Sequence, residues 1–108
     1  MVRKCLLAAV LIIAASLIWI NPSQAHKVNI FAYAEGGTVY TESYFPDGKM
    51  VQDGTIEVYD SQGQKLLDGK TDQDGKFSFP VPKKDDLKIV IIASMGHKSE
   101  FVLKKDEL

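Results

Sequence analysis

The stretch Thr55-Ile56-Glu57-Val58-Tyr59-Asp60-Ser61-Gln62-Gly63 decides the fold class, because it holds a short alternating run and the turn that ends it. Ile56 and Val58 share one face of an extended strand, since successive side chains point to opposite sides. Asp60 can bond the backbone of its own turn, and Gly63 supplies the left-handed residue that closes it. The grammar then repeats. Residues 65–71 suit a strand, Asp72-Gln73-Asp74-Gly75 turns it, and residues 76–81 set Phe77, Phe79 and Val81 on one side with Ser78 on the other. Pro80 and Pro82 make that strand end early or lie at a sheet edge.

Working outward, the same pattern reaches both ends of the domain. Val28, Ile30, Ala32 and Ala34 alternate with Asn29, Phe31, Tyr33 and Glu35, and Gly36-Gly37 follows at once. With the β-branched and aromatic run 38–45, this predicts a tight hairpin that Pro46-Asp47-Gly48 ends. Residues 87–93, nearly all apolar, predict a central strand. Met95-Gly96-His97-Lys98 turns the chain into a last strand over 99–103, and Lys83-Lys84-Asp85-Asp86 reads as a solvated connector. Seven short strands at this spacing predict a small all-β, antiparallel-rich sandwich, with a partly closed barrel as the rival arrangement. The expected core is Val28, Ile30, Ile56, Val58, Phe77, Phe79, Ile89, Ile91 and Phe101.

Residues 1–25 obey a different logic. Arg3 and Lys4 precede sixteen uncharged positions from Cys5 to Ile20, and the segment closes on Asn21-Pro22-Ser23-Gln24-Ala25. Sixteen residues are short for a membrane span, which takes about 20. Basic, apolar, breaker and small-residue order predicts a signal peptide cut after Ala25, with an uncut anchor as the alternative. One domain over residues 26–108 remains, and the expected location is the periplasm.

The 83 residues left carry 11 lysines against 14 acids, so the formal charge moves from −1 to −3. They hold no arginine and no cysteine, which removes thiolate ligands, a cysteine nucleophile and any disulfide. An acidic chain with scattered lysines is a poor match for nucleic acid. The Asp-x-x-Gly sequences at 60–63 and 72–75 are explained as Asx or type I turns, with too few oxygens for calcium. Ser99 and Glu100 beside His97 make no triad by adjacency, no glycine loop precedes a helix, and no small organic substrate is expected. The expectation is a protein that is not an enzyme.

Two histidines carry the sharper inference. Cleavage after Ala25 would make His26 the first residue, so its α-amine and imidazole Nδ1 could chelate one ion. Such nitrogen donors suit nickel, cobalt, copper or zinc. His97 lies in a turn, where a ligand can face solvent on a rigid base. Whether the two meet depends on how the strand 87–93 runs relative to 28–34. Met95 adds a soft donor for Cu(I) or serves packing. Phe31, Tyr33, Tyr40, Tyr44 and Phe45 gather on the first hairpin as core and sheet packing or as an outward recognition face. Glu35 and Glu42 flank it as solubilising or ligand groups. Lys105-Asp106-Glu107-Leu108 spells an endoplasmic-reticulum retrieval tetrapeptide, but in a bacterium it is a solvated tail.

Ala25-His26-Lys27-Val28-Asn29-Ile30-Phe31-Ala32, then Glu35-Gly36, Tyr44-Phe45 and Gly48, resemble the start of the small exported accessory component of bacterial energy-coupling-factor nickel/cobalt transporters. The likeness continues through Gly54, Val58 and Gly69-Lys70-Thr71-Asp72-Gln73-Asp74-Gly75-Lys76-Phe77-Ser78-Phe79. It closes with Asp86-Leu87-Lys88-Ile89-Val90 and Gly96-His97. The Gly-x-Thr-Asp-x-x-Gly-x-Phe run is also similar to carboxypeptidase regulatory-like and transthyretin-like modules. The resemblance implies an Ig-like or transthyretin-like sandwich, transition-metal uptake at the outer face of the cytoplasmic membrane, and membrane transporter subunits as partners. His26 and His97 are the metal ligands it implies, for nickel or cobalt, with copper behind them. Ala93-Ser94-Met95 departs from the more glycine-rich approach to Gly-His in that family. A metal-free adaptor binding a protein partner and a periplasmic copper carrier are the alternatives.

Overall fold

A computed structural model describes residues 27–108 of the 108-residue chain. The signal segment 1–25, its cleavage point and His26 lie outside the described residues. Seven strands form: β1 (Asn29–Glu35), β2 (Thr38–Tyr44), β3 (Thr55–Tyr59), β4 (Lys65–Lys70), β5 (Lys76–Pro80), β6 (Leu87–Ile92) and β7 (Lys98–Leu103). They make two sheets, ordered β1-β2-β5 and β4-β3-β6-β7, and every strand pair is antiparallel. Among the described residues no helix is long and apolar enough to cross a membrane.

Local chemistry explains the turns. Gly36 and Gly37 take φ of 59° and 81°, the left-handed pair that a two-residue hairpin loop requires. Asp60 Oδ1 accepts the N–H groups of Gln62 and Gln64, each at 2.9 Å, and Asp72 Oδ1 does the same for Asp74 and Lys76. Both Asp-x-x-Gly sequences are therefore side-chain-capped turns.

The inner faces of the two sheets meet in one core of Val28, Ile30, Ala32, Val39, Val51, Ile56, Val58, Phe79, Leu87, Ile89, Ile91, Ala93 and Leu103. Two of the nine expected core positions differ: Phe77 and Phe101 are half-buried and pack against this cluster from its margin. Phe77 stands on the edge strand β5 and fits over Gly69 of β4, where a Cβ would meet its ring. Phe101 lies on the edge strand β7, at the seam where β7 comes against β1, and its ring meets that of Phe31 edge-on at 5.6 Å. The seam is closed by side chains, with no ladder bonds between the two strands. Strand β6 is central as expected, and Val90, on its outer face, is only 3% exposed.

Two segments expected to be solvated are tied down. Lys83 Nζ reaches Asp60 Oδ2 at 2.9 Å, and Asp85 Oδ2 accepts both the N–H and the hydroxyl of Ser61. Residues Lys105–Glu107 form one 3-10 turn in which Glu107 accepts the Lys104 N–H, and Leu108 packs against the core. The terminal leucine has apolar area to bury, which overrides the polar reading of the tetrapeptide.

The buried Asp60 carboxylate sits below the usual carboxylate range, mainly because Lys83 donates to it and the turn N–H groups add to that. Lys83 is shifted upward by the same bond. A depressed acid stabilises the fold above its unfolded value of about 3.9, and that contribution fades as pH falls toward the folded value. Asp60→Asn keeps an oxygen for the turn but takes from Lys83 its nearer anion, leaving only Asp85 at 4.0 Å. It is expected to unfold at lower temperature than the parent at pH 7, with the gap closing as thermal unfolding is repeated below about pH 4. A gap that stays constant down to the acid limit contradicts this account of Asp60.

Candidate functional site

The start of β1 and the turn that carries His97 occupy the same end of the sandwich. Asn29, the first residue of β1, pairs with Tyr44, the last of β2. The next residue, Phe45, meets the His97 ring edge-on, with centroids 6.4 Å apart and planes at 81°. The loop after β2, the Asp72 turn and the β6–β7 turn close this pole, where the Thr71 N–H donates to the Gly54 carbonyl and the Gly54 N–H donates to the Thr71 hydroxyl. Sequence reasoning made a meeting of the two histidines depend on pairing between β1 and β6. In the structure those strands lie in opposite sheets, and the shared pole arises through β2 and Phe45.

His97 is half-buried, on the loop that joins β6 to β7. The Ala93 N–H donates to the His97 carbonyl at 2.7 Å, which closes the loop. Met95 and Gly96 take φ of 61° and 77° at its tip. Left-handed backbone is natural for glycine and costly for a straight-chain residue, by about 1–2 kcal/mol. Met95 is nonetheless 91% exposed, so packing does not hold it there. Met95→Asn is expected to raise the melting temperature by several degrees, because asparagine tolerates this region and contacts would be unchanged. An unchanged or lower melting temperature would contradict the strained geometry.

Among the described residues no group of three or more His, Cys, Asp or Glu gathers in metal-ligand geometry. Of the two histidines expected to be ligands, His97 lies within the described domain and His26 outside it. Glu42 pairs with Lys76 at 3.8 Å, and Glu35 is exposed at the far end of β1. A cavity of about 650 Å³ opens at the opposite pole among Lys84, Asp86, Lys104, Lys105 and Asp106.

The aromatic residues of the hairpin point outward, not into the core. Phe31, Tyr33, Tyr40 and Tyr44 are 38–46% exposed on the outer face of β1-β2-β5, while Phe45 alone of the five packs inward. Tyr33 and Tyr40 are register partners, and their rings stack at 5.3 Å and 23°. A cleft of about 290 Å³ lies beside them, lined by Glu42, Asp72, Lys76 and Ser78 among others. Alternation on a hairpin foretells two faces, but which one meets the second sheet is a tertiary outcome. The clue in the sequence was that the opposite face carried the aliphatic set Ile30, Ala32, Val39.

The chain is 31% identical over 81 residues to an uncharacterized protein of Haemophilus influenzae (strain ATCC 51907 / DSM 11121 / KW20 / Rd), over 72% of this chain and 50% of that protein. It thus spans about half the length of that curated relative. No described protein family and no solved structure matches the sequence.

Proposed function

We propose that the chain is a periplasmic accessory domain that binds nickel or cobalt as cargo and assists its uptake by membrane transporter subunits. The fold belongs, in this reading, to the transthyretin-like sandwiches. The observation that supports it is the shared pole of the β1 start and His97. His26 stands three positions before Asn29, and extended chain covers at most ~3.3–3.6 Å per residue, so the covalent chain lets its backbone reach no farther than about 11 Å from the strand. With the leader removed after Ala25, the His26 amine and ring would bind one ion together, and the His97 imidazole would add a third nitrogen. Two donors on one residue chelate without ordering a distant loop, which spares conformational entropy.

A second reading, copper carriage, draws on Met95. An exposed thioether on strained backbone, two residues from a histidine, offers a soft donor for Cu(I). Calorimetric titration of the cleaved protein with Ni²⁺, Co²⁺, Cu²⁺ and Zn²⁺ separates these cases. It is best run at about pH 7.5, near the α-amine's reference pKa of about 7.7–8.0. His97→Ala is expected to weaken Ni²⁺ binding on the order of tenfold, or about 1.4 kcal/mol. Heat from none of the four ions would defeat the metal reading. A separate titration with Cu(I) under reducing conditions tests the second reading, and selective Cu(I) binding that Met95→Ala removes would favour copper.

A further inference from the structure

The outer face of β1-β2-β5 has the chemistry of a docking surface, and it runs along the sheet from the Tyr33–Tyr40 pair to the Asp72 turn. Its rows follow the ladder register: Tyr33, Tyr40 and Ser78 in one, and Phe31, Glu42 and Lys76 in the next. The Phe31 and Tyr33 centroids are 6.0 Å apart, so three rings run together across the hairpin. The charges around them are unbalanced. Glu42 and the rim residue Asp72 share the cleft with one cation, Lys76, which is turned to Glu42 at 3.8 Å, and Glu35 stands on the same face beyond Tyr33.

The other sheet shows how this protein treats an outward tyrosine. On the outer face of β4-β3-β6-β7, Lys88 Nζ sits 5.3 Å from the centre of the Tyr59 ring. Among the described residues no lysine sits over Tyr33 or Tyr40. Those rings keep about two fifths of their surface open, with carboxylates beside them. An aromatic ring attracts a cation to its face, and guanidinium does so best because it is planar and weakly hydrated.

We propose that this face docks an extended, arginine-bearing segment of a partner protein. The guanidinium would lie over the Tyr33–Tyr40 pair, and Glu42 and Asp72 would hold it from the side. A second copy of this chain is the wrong occupant, since its own acidic face would meet this one and it brings no arginine after residue 3. The inference goes beyond the metal reading and does not depend on it.

The test is a magnetic-resonance titration of the purified protein with the peptide Gly-Arg-Gly-Arg-Gly-amide, and with the same peptide carrying neutral citrulline for arginine. The expected result is a saturable shift of the Tyr33 and Tyr40 ring signals with the arginine peptide. Citrulline should bind at least several-fold more weakly, and added salt should weaken the arginine complex. Tyr40→Leu and Glu42→Gln are surface changes that keep the fold, checked by circular dichroism. Each is expected to weaken binding about twofold to fivefold, the range for an exposed cation–π or ion contact. Equal binding of the two peptides overturns the proposal, as do shifts confined to the other sheet. So does a response of Tyr33 and Tyr40 to maltose with none to the arginine peptide, which would mark a saccharide platform. Concentration-dependent dimerisation that Tyr40→Leu abolishes would overturn it in favour of self-association.

Discussion

Ile89→Ala is expected to leave the domain barely folded at room temperature. Ile89 is wholly buried on the central strand β6, between Val58 of β3 and Phe101 of β7. Removing its three outer carbons costs the transfer free energy and leaves a cavity that a ladder bonded on both sides cannot close. That combination is worth about 3–4 kcal/mol. A domain of this size holds about 4–12 kcal/mol in all. At roughly 4–8 °C per kcal/mol, the melting temperature should fall by about 12–30 °C. Urea unfolding of the variant beside Val102→Ala measures it, because Val102 is 44% exposed on β7 and should change stability by less than about 0.5 kcal/mol. Equal costs for the two would contradict the placement of β6.

Gly75→Ala should be nearly as severe for a different reason. Gly75 has φ of 72°, and a Cβ there would run into the backbone carbonyl oxygen of Ser43. That region of backbone is tightly used. The Ser43 N–H donates to the Gly75 carbonyl at 2.8 Å, and the Ser43 carbonyl accepts from Val51 at 3.0 Å. The obstacle is main chain and not a flexible side chain, so relief requires β2 and β5 to separate. Left-handed strain of about 1–3 kcal/mol adds to the steric cost. Gly63→Ala is the control: φ is 81° and nothing lies within 4 Å of the added carbon, so strain acts alone. Thermal unfolding should rank Gly75→Ala well below Gly63→Ala. Matching melting temperatures would mean that β2 does not approach the turn as described.

Strands were legible because each half-buried strand alternates, as in Val28, Ile30, Ala32 against Phe31, Tyr33. The turns were legible because Asp60, Asp72 and the Gly36-Gly37 pair carry the chemistry their geometry needs. Alternation says which residues share a face, and it is silent about which sheet a strand joins. Pairing of β2 with β5, 40 positions apart between Val39 and Phe79, therefore emerged only in three dimensions. Val51 was missed because it stands outside any alternating run, between Met50 and Gln52. It is buried by tertiary contact, with the Thr71 hydroxyl donating to its carbonyl at 2.6 Å. Thr41 escaped notice for a related reason, since its hydroxyl is buried only once Phe77 of β5 offers a carbonyl at 3.1 Å. His97 was correctly read as a turn residue. Its position beside the start of β1 depends on strand order, which no local pattern encodes.

The metal reading rests on the amine of His26 being free. The most direct measurement is Ni²⁺ titration of the cleaved protein beside a form that carries one additional residue before His26. The account predicts severe loss of affinity in the extended form, because the free amine moves off His26 while the imidazole and His97 stay in place. Equal affinity in the two forms would contradict it.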